Sequence, residues 1–102
     1  MGNMKTKNRI YLSGKITGLH IEVAENHFNK AEEKLNQCGY EVINPMNINH
    51  DHDKSWENYM RVDLKALLDC DFIYMLKNWH LSKGANIEYN LAKDLGLTII
   101  FE

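Results

Sequence analysis

Two acidic residues interrupt apolar stripes in segments with helical spacing. In "SKGANIEYNLAK" (82–93) and the residues just after it, one helix face carries Gly84, Glu88, Leu91, Ala92 and Leu95. The segment before it carries Asp63 in a stripe made of Trp56, Tyr59, Met60, Leu64 and Leu67. A buried carboxylate costs several kcal/mol unless it is paired or its pKa rises. Glu88 and Asp63 are therefore the first candidates for catalysis.

Each of these carboxylates also has an ordinary structural explanation. Asp63 could form an ion pair or a cap at the edge of the core. Glu88 lies near a predicted helix start, where the helix dipole favours a negative charge. If the two side chains instead meet in one site, they resemble the pair that acts on glycosidic bonds. There, one carboxylate attacks or steadies an oxocarbenium-like sugar and the other handles a proton.

Two glycine-containing turns accompany the carboxylates. "SGKITG" (13–18) and the Ser82-Lys83-Gly84 turn each join a predicted strand to a predicted helix. Backbone N–H groups at such turns bind anions, and the side chains of Ser13, Lys15 and Ser82 could assist them. This combination predicts a small phosphate-binding site beside the carboxylates.

The elements that must position these residues alternate along the chain. Periodicity and turn signals predict strands at 9–14, 40–45, 71–77 and 97–102, and helices at 22–39, 55–69 and 84–95. Ser55 is the expected N-cap of the second helix. Strands that alternate with helices indicate an α/β fold, a flavodoxin/Rossmann-like three-layer sandwich with a four-stranded, mainly parallel sheet. We expect a single domain over 1–102, with 1–8 as a flexible tail.

Composition excludes several classes of function. The net charge is −2, and 44% of the 102 residues are hydrophobic. A nearly neutral surface argues against binding of polymeric nucleic acid, and no apolar run is long enough to cross a membrane. Cys38 and Cys70 are read as buried or semi-buried thiols, which indicates a reducing cytoplasm.

The loop after the second strand and the loop after the third each leave a question open. "HDHD" (50–53) has two histidines without a third metal ligand at a defined spacing, so we expect a solvated loop, no metal and no cofactor. Residues 45–54 are interpreted as a mobile flap over the pocket. Trp79 could stack on a nucleobase or simply pack over the end of the sheet.

Three segments together resemble a known enzyme group. "IYLSGKITG" (10–18), "RVDLKALLDCDFIYML" (61–76) and "SKGANIEYNLA" (82–92) look like the nucleoside 2-deoxyribosyltransferase-like superfamily. The resemblance covers about 9–101 and is strongest for small bacterial and phage domains of unknown function. It extends to the 2′-deoxynucleoside 5′-monophosphate N-glycosidases. The most specific feature is the spacing of Ser82, Gly84 and Glu88.

The resemblance implies a role for each matched residue. Glu88 would be the nucleophile that attacks C1′ of deoxyribose, and Asp63 would orient the sugar or assist departure of the base. Ser82 would bind a 5′-phosphate, and Tyr11 and Gly14 would line the sugar pocket. The resemblance also implies a homodimer or higher homo-oligomer in which a neighbour helps to close the site.

These observations give three hypotheses for the function. The first is N-glycosidic bond cleavage of a small (deoxy)nucleotide or nucleoside, by hydrolysis or deoxyribosyl transfer. Larger transferases of the group have a further strand after the fourth, so we expect hydrolysis in preference to transfer. The second hypothesis is a non-catalytic nucleotide-binding or sequestering module. The third is an interaction protein, against which the two charged interruptions argue.

Overall fold

The computed structural model describes residues 8–102. The tail expected over 1–8 falls almost entirely outside the described residues. All seven predicted strands and helices are present, in the order β1 (Arg9–Ser13), α1 (Ile21–Gln37), β2 (Glu41–Ile43), α2 (Trp56–Leu68), β3 (Phe72–Met75), α3 (Lys83–Asp94) and β4 (Thr98–Phe101). Two short 3-10 helices, Pro45–Asn47 and Trp79–Leu81, were not predicted: Pro45 was expected to end the second strand, and the other residues were expected in loops.

The four strands form one sheet in the order β2-β1-β3-β4, and every neighbouring pair is parallel. This confirms the α/β prediction and fits a flavodoxin/Rossmann-like three-layer sandwich. The chain leaves β1 toward β2 on one side and later returns to β3 on the other side. The strand order therefore switches between β1 and β3, which is where open parallel sheets bind ligands at their carboxyl ends.

Each face of the sheet has its own apolar core. Helix α1 covers one face, in a core made of Ile10, Leu12, Phe28, Ala31, Leu35, Tyr74 and Leu76. Helices α2 and α3 cover the other, in a core made of Tyr11, Leu67, Cys70, Ile73, Met75, Ala85 and Ala92. Successive strand residues point to opposite faces, so Tyr11 and Ser13 both point toward α2 and α3.

Serine side chains fix the starts of the two helices on that second face. The Ser55 hydroxyl accepts a hydrogen bond from Asn58 N at 3.2 Å, which confirms the predicted N-cap of α2. The Ser82 hydroxyl accepts one from Ala85 N at 3.1 Å and caps α3 in the same way. Each cap satisfies a backbone donor that the helix itself leaves unpaired.

Two burial predictions are wrong. Leu95, expected on the inward face of the third helix, is 55% exposed because α3 ends at Asp94 and the chain turns there. Cys38 is exposed at the end of α1, whereas Cys70 is buried as expected. Within residues 8–102, no helix is long and apolar enough to cross a membrane.

Gly14 is required by close packing at the end of β1. A Cβ atom at this position would lie 2.7 Å from Leu76 Cδ1 and 2.9 Å from Leu76 Cβ. We expect Gly14→Ala to lower the free energy of unfolding in urea by about 1–3 kcal/mol, because the buried neighbours must shift.

Gly39→Asn is the matched control for this substitution. Gly39 has a φ of +95° and no heavy atom within 4 Å of an added Cβ, so a side chain at this position strains the backbone without a steric clash. Its cost should be that of backbone strain alone, about 1–2 kcal/mol, and so gives the scale against which the packing cost at Gly14 is compared. A Gly14→Ala protein as stable as the wild type would contradict the packing argument.

Candidate functional site

A cavity of about 810 Å³ opens at the carboxyl ends of the strands. The turn after β1, the loop after β2 and the first turns of α2 and α3 surround it. Of the residues predicted for the site, it is lined by Tyr11, Gly14, Lys15, Asp63, Ser82, Gly84 and Glu88. The volume lies in the range of small-molecule sites. The structure thus brings both carboxylates and both glycine-containing turns to one cavity.

Glu88 lies at the inner wall of this cavity and is only 5% exposed. Its Oε2 accepts a hydrogen bond from the Tyr11 hydroxyl at 2.8 Å, and its Oε1 accepts one from the Ser13 hydroxyl at 2.6 Å. Burial raises the pKa of Glu88 to about 7. The hydrogen bonds from Ser13 and Tyr11 lower this pKa in part, and the charge of Asp63 raises it further. Both donors favour the ionised form of Glu88.

Asp63 has a different environment on the second turn of α2. Its Oδ1 is buried, and among the described residues it makes no hydrogen bond. The Nε2 atom of His50 lies 3.4 Å from Asp63 Oδ1. Burial raises the pKa of Asp63 to about 7. Without a donor to stabilise its charge, this carboxyl group favours the protonated form.

Tyr11 links the two carboxylates electrostatically. Burial and the charges of Glu88 and Asp63 raise the pKa of Tyr11 well above its ordinary value. The phenol therefore keeps its proton at all physiological pH values and remains a hydrogen-bond donor to Glu88. Ser13 is 1% exposed and does not line the cavity itself; it contributes only through Glu88.

Of the three side chains predicted for phosphate binding, Lys15 and Ser82 line the cavity and Ser13 does not. The backbone N of Lys15 donates to Asn78 Oδ1 at 3.0 Å, which ties the turn after β1 to the loop after β3. Lys83 also lines the cavity, and its Nζ lies 4.4 Å from the ring centroid of Trp56. Ser82 is present as predicted, but its hydroxyl already caps α3. The free donors at this helix start are therefore backbone N–H groups and Lys83.

Trp79 does not reach the cavity. It packs against Tyr89, with ring centroids 4.7 Å apart, and against Phe101 at 6.2 Å. Of the two roles left open for this residue, the structure gives it packing over the sheet end. The aromatic residues that line the cavity are Trp56 and Tyr59 in the first turns of α2, together with Tyr11 and Phe28.

The 45–54 segment, interpreted from the sequence as a flap over the pocket, contributes residues to the cavity lining. His50 is half-buried, lines the cavity and contacts Asp63, so the interpretation as a wholly solvated loop is wrong for this residue. Met46, from the same 45–54 segment, also lines the cavity. Tyr59 belongs to the Asp63 stripe, but only the folded loop brings His50 to both residues. Residues 8–102 contain no cluster of three His, Cys, Asp or Glu side chains that could hold a metal.

Comparison with known proteins gives a family without an assigned function. A family model described as DUF4406, a domain of unknown function, matches residues 8–101. The match spans nearly the whole chain, and the chain therefore belongs to this family. No curated protein matches the sequence.

Burial of the Glu88 charge should make stability depend on pH. Its pKa in the folded protein is raised to about 7 from 4.5, so the folded state holds a proton that the unfolded state loses. The stabilising contribution is complete below pH 4.5 and is lost as pH rises through 7. We expect Glu88→Gln to raise the free energy of unfolding by about 2–3 kcal/mol at pH 8 and to change it little at pH 4.5.

Urea unfolding at the two pH values measures this difference. Glu33→Gln, on the exposed side of α1, is the control and should show no comparable gain at pH 8. If Glu88→Gln is equally destabilising at both pH values, the carboxylate does not carry the burial cost assigned to it.

Proposed function

We propose that this protein cleaves the N-glycosidic bond of a small deoxynucleotide or nucleoside. Glu88 is the nucleophile, and Asp63 is the proton donor to the leaving base. One observation carries the proposal: Glu88 is a buried carboxylate that accepts two hydroxyl hydrogen bonds in a cavity that Asp63 also lines. The motif resemblance to the nucleoside 2-deoxyribosyltransferase-like superfamily supports the same assignment.

The reaction would proceed by double displacement. A Glu88 oxygen forms a bond to C1′ of the sugar as the C1′–N bond breaks, and the Asp63 proton passes to the departing nitrogen. Water then attacks C1′, its proton goes to the Asp63 carboxylate, and the bond to Glu88 breaks. Both side chains return to their starting states. A second base in place of water would give deoxyribosyl transfer.

The different environments of the two carboxylates support this division of roles. Glu88 has two hydroxyl donors that favour the ionised form needed by a nucleophile. Asp63 has no hydrogen bond within the described part of the chain, and this favours the protonated form needed by an acid. Raised pKa values of about 7 for both groups permit one ionised and one protonated carboxyl near neutral pH.

The cavity lining supports a substrate with a base, a sugar and an anionic end. Trp56, Tyr59 and Met46 offer apolar surface to a base, and Lys15, Lys83 and the start of α3 offer positive charge to a phosphate. We place the protein in the cytoplasm, where nucleotides and reduced thiols occur together. A homodimer or higher homo-oligomer is proposed from the motif resemblance.

Release of free base from defined substrates tests the reaction. Purified protein is incubated with each common deoxynucleoside and deoxynucleoside 5′-monophosphate, and free base is measured by chromatography. We expect release by the wild type, a loss of at least about 10³-fold in Glu88→Ala and a loss of about 10²–10⁴-fold in Asp63→Asn. Glu33→Gln should keep full activity.

Two other outcomes would contradict the proposal. Equal base release by the wild type and Glu88→Ala would remove Glu88 from the chemistry. Binding of an intact nucleotide in calorimetry, without release from any substrate, would instead support a nucleotide-binding or sequestering module.

The phosphate end of the substrate makes a separate prediction. If Lys83 neutralises a 5′-phosphate, Lys83→Met should raise KM for the monophosphate by about 10-fold and leave the corresponding deoxynucleoside unchanged, because a single charge-assisted contact is lost. Lys93→Met, near the opposite end of α3, is the matched control. An equal rise in KM for both substrates would show that Lys83 does not recognise phosphate.

A further inference from the structure

A chain of polar contacts runs from the surface of the 45–54 loop to Asp63. The Nδ1 atom of His52 lies 2.5 Å from the carbonyl oxygen of Asp53. The Nε2 atom of His52 lies 2.7 Å from Nδ1 of His50. The Nε2 atom of His50 lies 3.4 Å from Oδ1 of Asp63. The proposed function uses Asp63 but gives no role to either histidine.

The contacts determine where the protons lie. A carbonyl oxygen can only accept, so His52 must carry its proton on Nδ1 and donate it to Asp53. The Nε2 atom of a neutral His52 is then an acceptor, and His50 must donate to it from Nδ1. A neutral His50 is left with a lone pair on Nε2. That lone pair faces Asp63, so the proton between the two groups belongs to the carboxyl.

We propose that His52 and the Asp53 carbonyl fix the tautomer of His50, so that its Nε2 lone pair faces Asp63 and holds it as a protonated acid. His50 and His52 are thus positioning residues for Asp63. The role of Asp63 as a proton donor in catalysis rests on the proposed function. The positions of the protons on His50 and His52 are inferred from the contacts alone. The distance of 3.4 Å exceeds an ordinary hydrogen bond by a few tenths of an ångström, so the contact acts through the field of the Nε2 lone pair.

The surroundings of His50 favour its neutral form. Burial, followed by the charges of His52 and Lys54, lowers the pKa of His50, and a hydrogen bond with the Pro45 backbone opposes part of this decrease. Lys54 Nζ also donates to the His50 carbonyl oxygen. From α2, the Tyr59 ring lies 4.5 Å from the His50 ring and 5.1 Å from the His52 ring, and this packing holds both imidazoles in place.

The groups that face Asp63 also favour a proton there. Glu88 of α3 adds a negative charge, and Tyr11 of β1 is held neutral. Four further charged residues line the same cavity, namely Lys15, Glu25, Glu57 and Lys83. Among residues 8–102, His50 is the only ion-pair partner of Asp63, and burial opposes the doubly protonated form of its ring.

Nitrogen-15 NMR of the full chain, labelled in histidine, tests the tautomers at pH 8. We expect both His50 and His52 to carry the proton on Nδ1, although free imidazole side chains favour Nε2. Their signals are assigned from His50→Gln and His52→Gln. A proton on Nε2 of His50 in the wild type would overturn the inference.

His52→Phe tests the consequence for Asp63. Phenylalanine keeps a ring against Tyr59 but removes the acceptor for His50, which can then turn an Nε2 proton toward Asp63 and stabilise its carboxylate. We expect the pKa of Asp63, followed by carbon-13 NMR of labelled aspartate, to fall by about 1 unit. The alkaline limb of the kcat/KM profile should move by the same amount to lower pH.

Two further variants separate this effect from damage to the loop. His52→Gln supplies an amide oxygen that accepts from His50, so it should restore the wild-type tautomer and pH profile. His20→Phe, at an exposed position that makes no side-chain cap bond, should change neither. An unchanged or raised pKa of Asp63 in His52→Phe would overturn the inference. If neither the wild type nor any variant releases base, the proposed function fails. The tautomer of His50 and the pKa of Asp63, both measured by NMR, still test the present inference.

Discussion

The hydrogen bonds from Tyr11 and Ser13 to Glu88 are the interaction on which the site depends. They join the central strand β1 to the last helix α3 across the buried face of the sheet. A carboxylate in that position without donors would be too costly to keep ionised. Because strand residues alternate between faces, two positions in β1 supply both donors. The same contacts therefore stabilise the packing of α3 and set the charge of the cavity.

The architecture explains why the second carboxylate faces the same cavity. The strand order switches between β1 and β3, and the return crossover places α2 beside α3 on one face. Gly84 permits this close approach, because an added Cβ would lie 3.0 Å from Met60 Sδ. Asp63 of α2 thereby lines the same cavity as Glu88. Glu88 accepts two hydrogen bonds, whereas the buried Oδ1 of Asp63 accepts none from the described residues. Two acids of similar intrinsic strength thus have different surroundings, and this difference supports the separate roles proposed for them.

The fold could be predicted in nearly all its elements. Hydrophobic periods of 3.6 and 2 residues are local properties, and glycine, proline and serine mark the ends of elements, as at Ser55 and Gly39. The errors occurred where a boundary depends on packing. Leu95 continues the apolar stripe of α3, yet the helix ends one residue earlier and leaves it exposed. The 3-10 helices after Asn44 and Asn78 have only three residues each, which is too short to give a periodic signal.

Residue spacing was sufficient to assign the α/β class and to select the two carboxylates, because a charged residue within an apolar stripe is visible without a structure. Tertiary structure decided which groups meet them. Tyr11 and Ser13 are 77 and 75 residues from Glu88 in the chain, and no local pattern encodes that contact. The tertiary structure also brings His50 to Asp63 and places Trp79 against Tyr89, outside the cavity. Loop side chains have no periodicity, so their directions follow only from the packing of the elements they join.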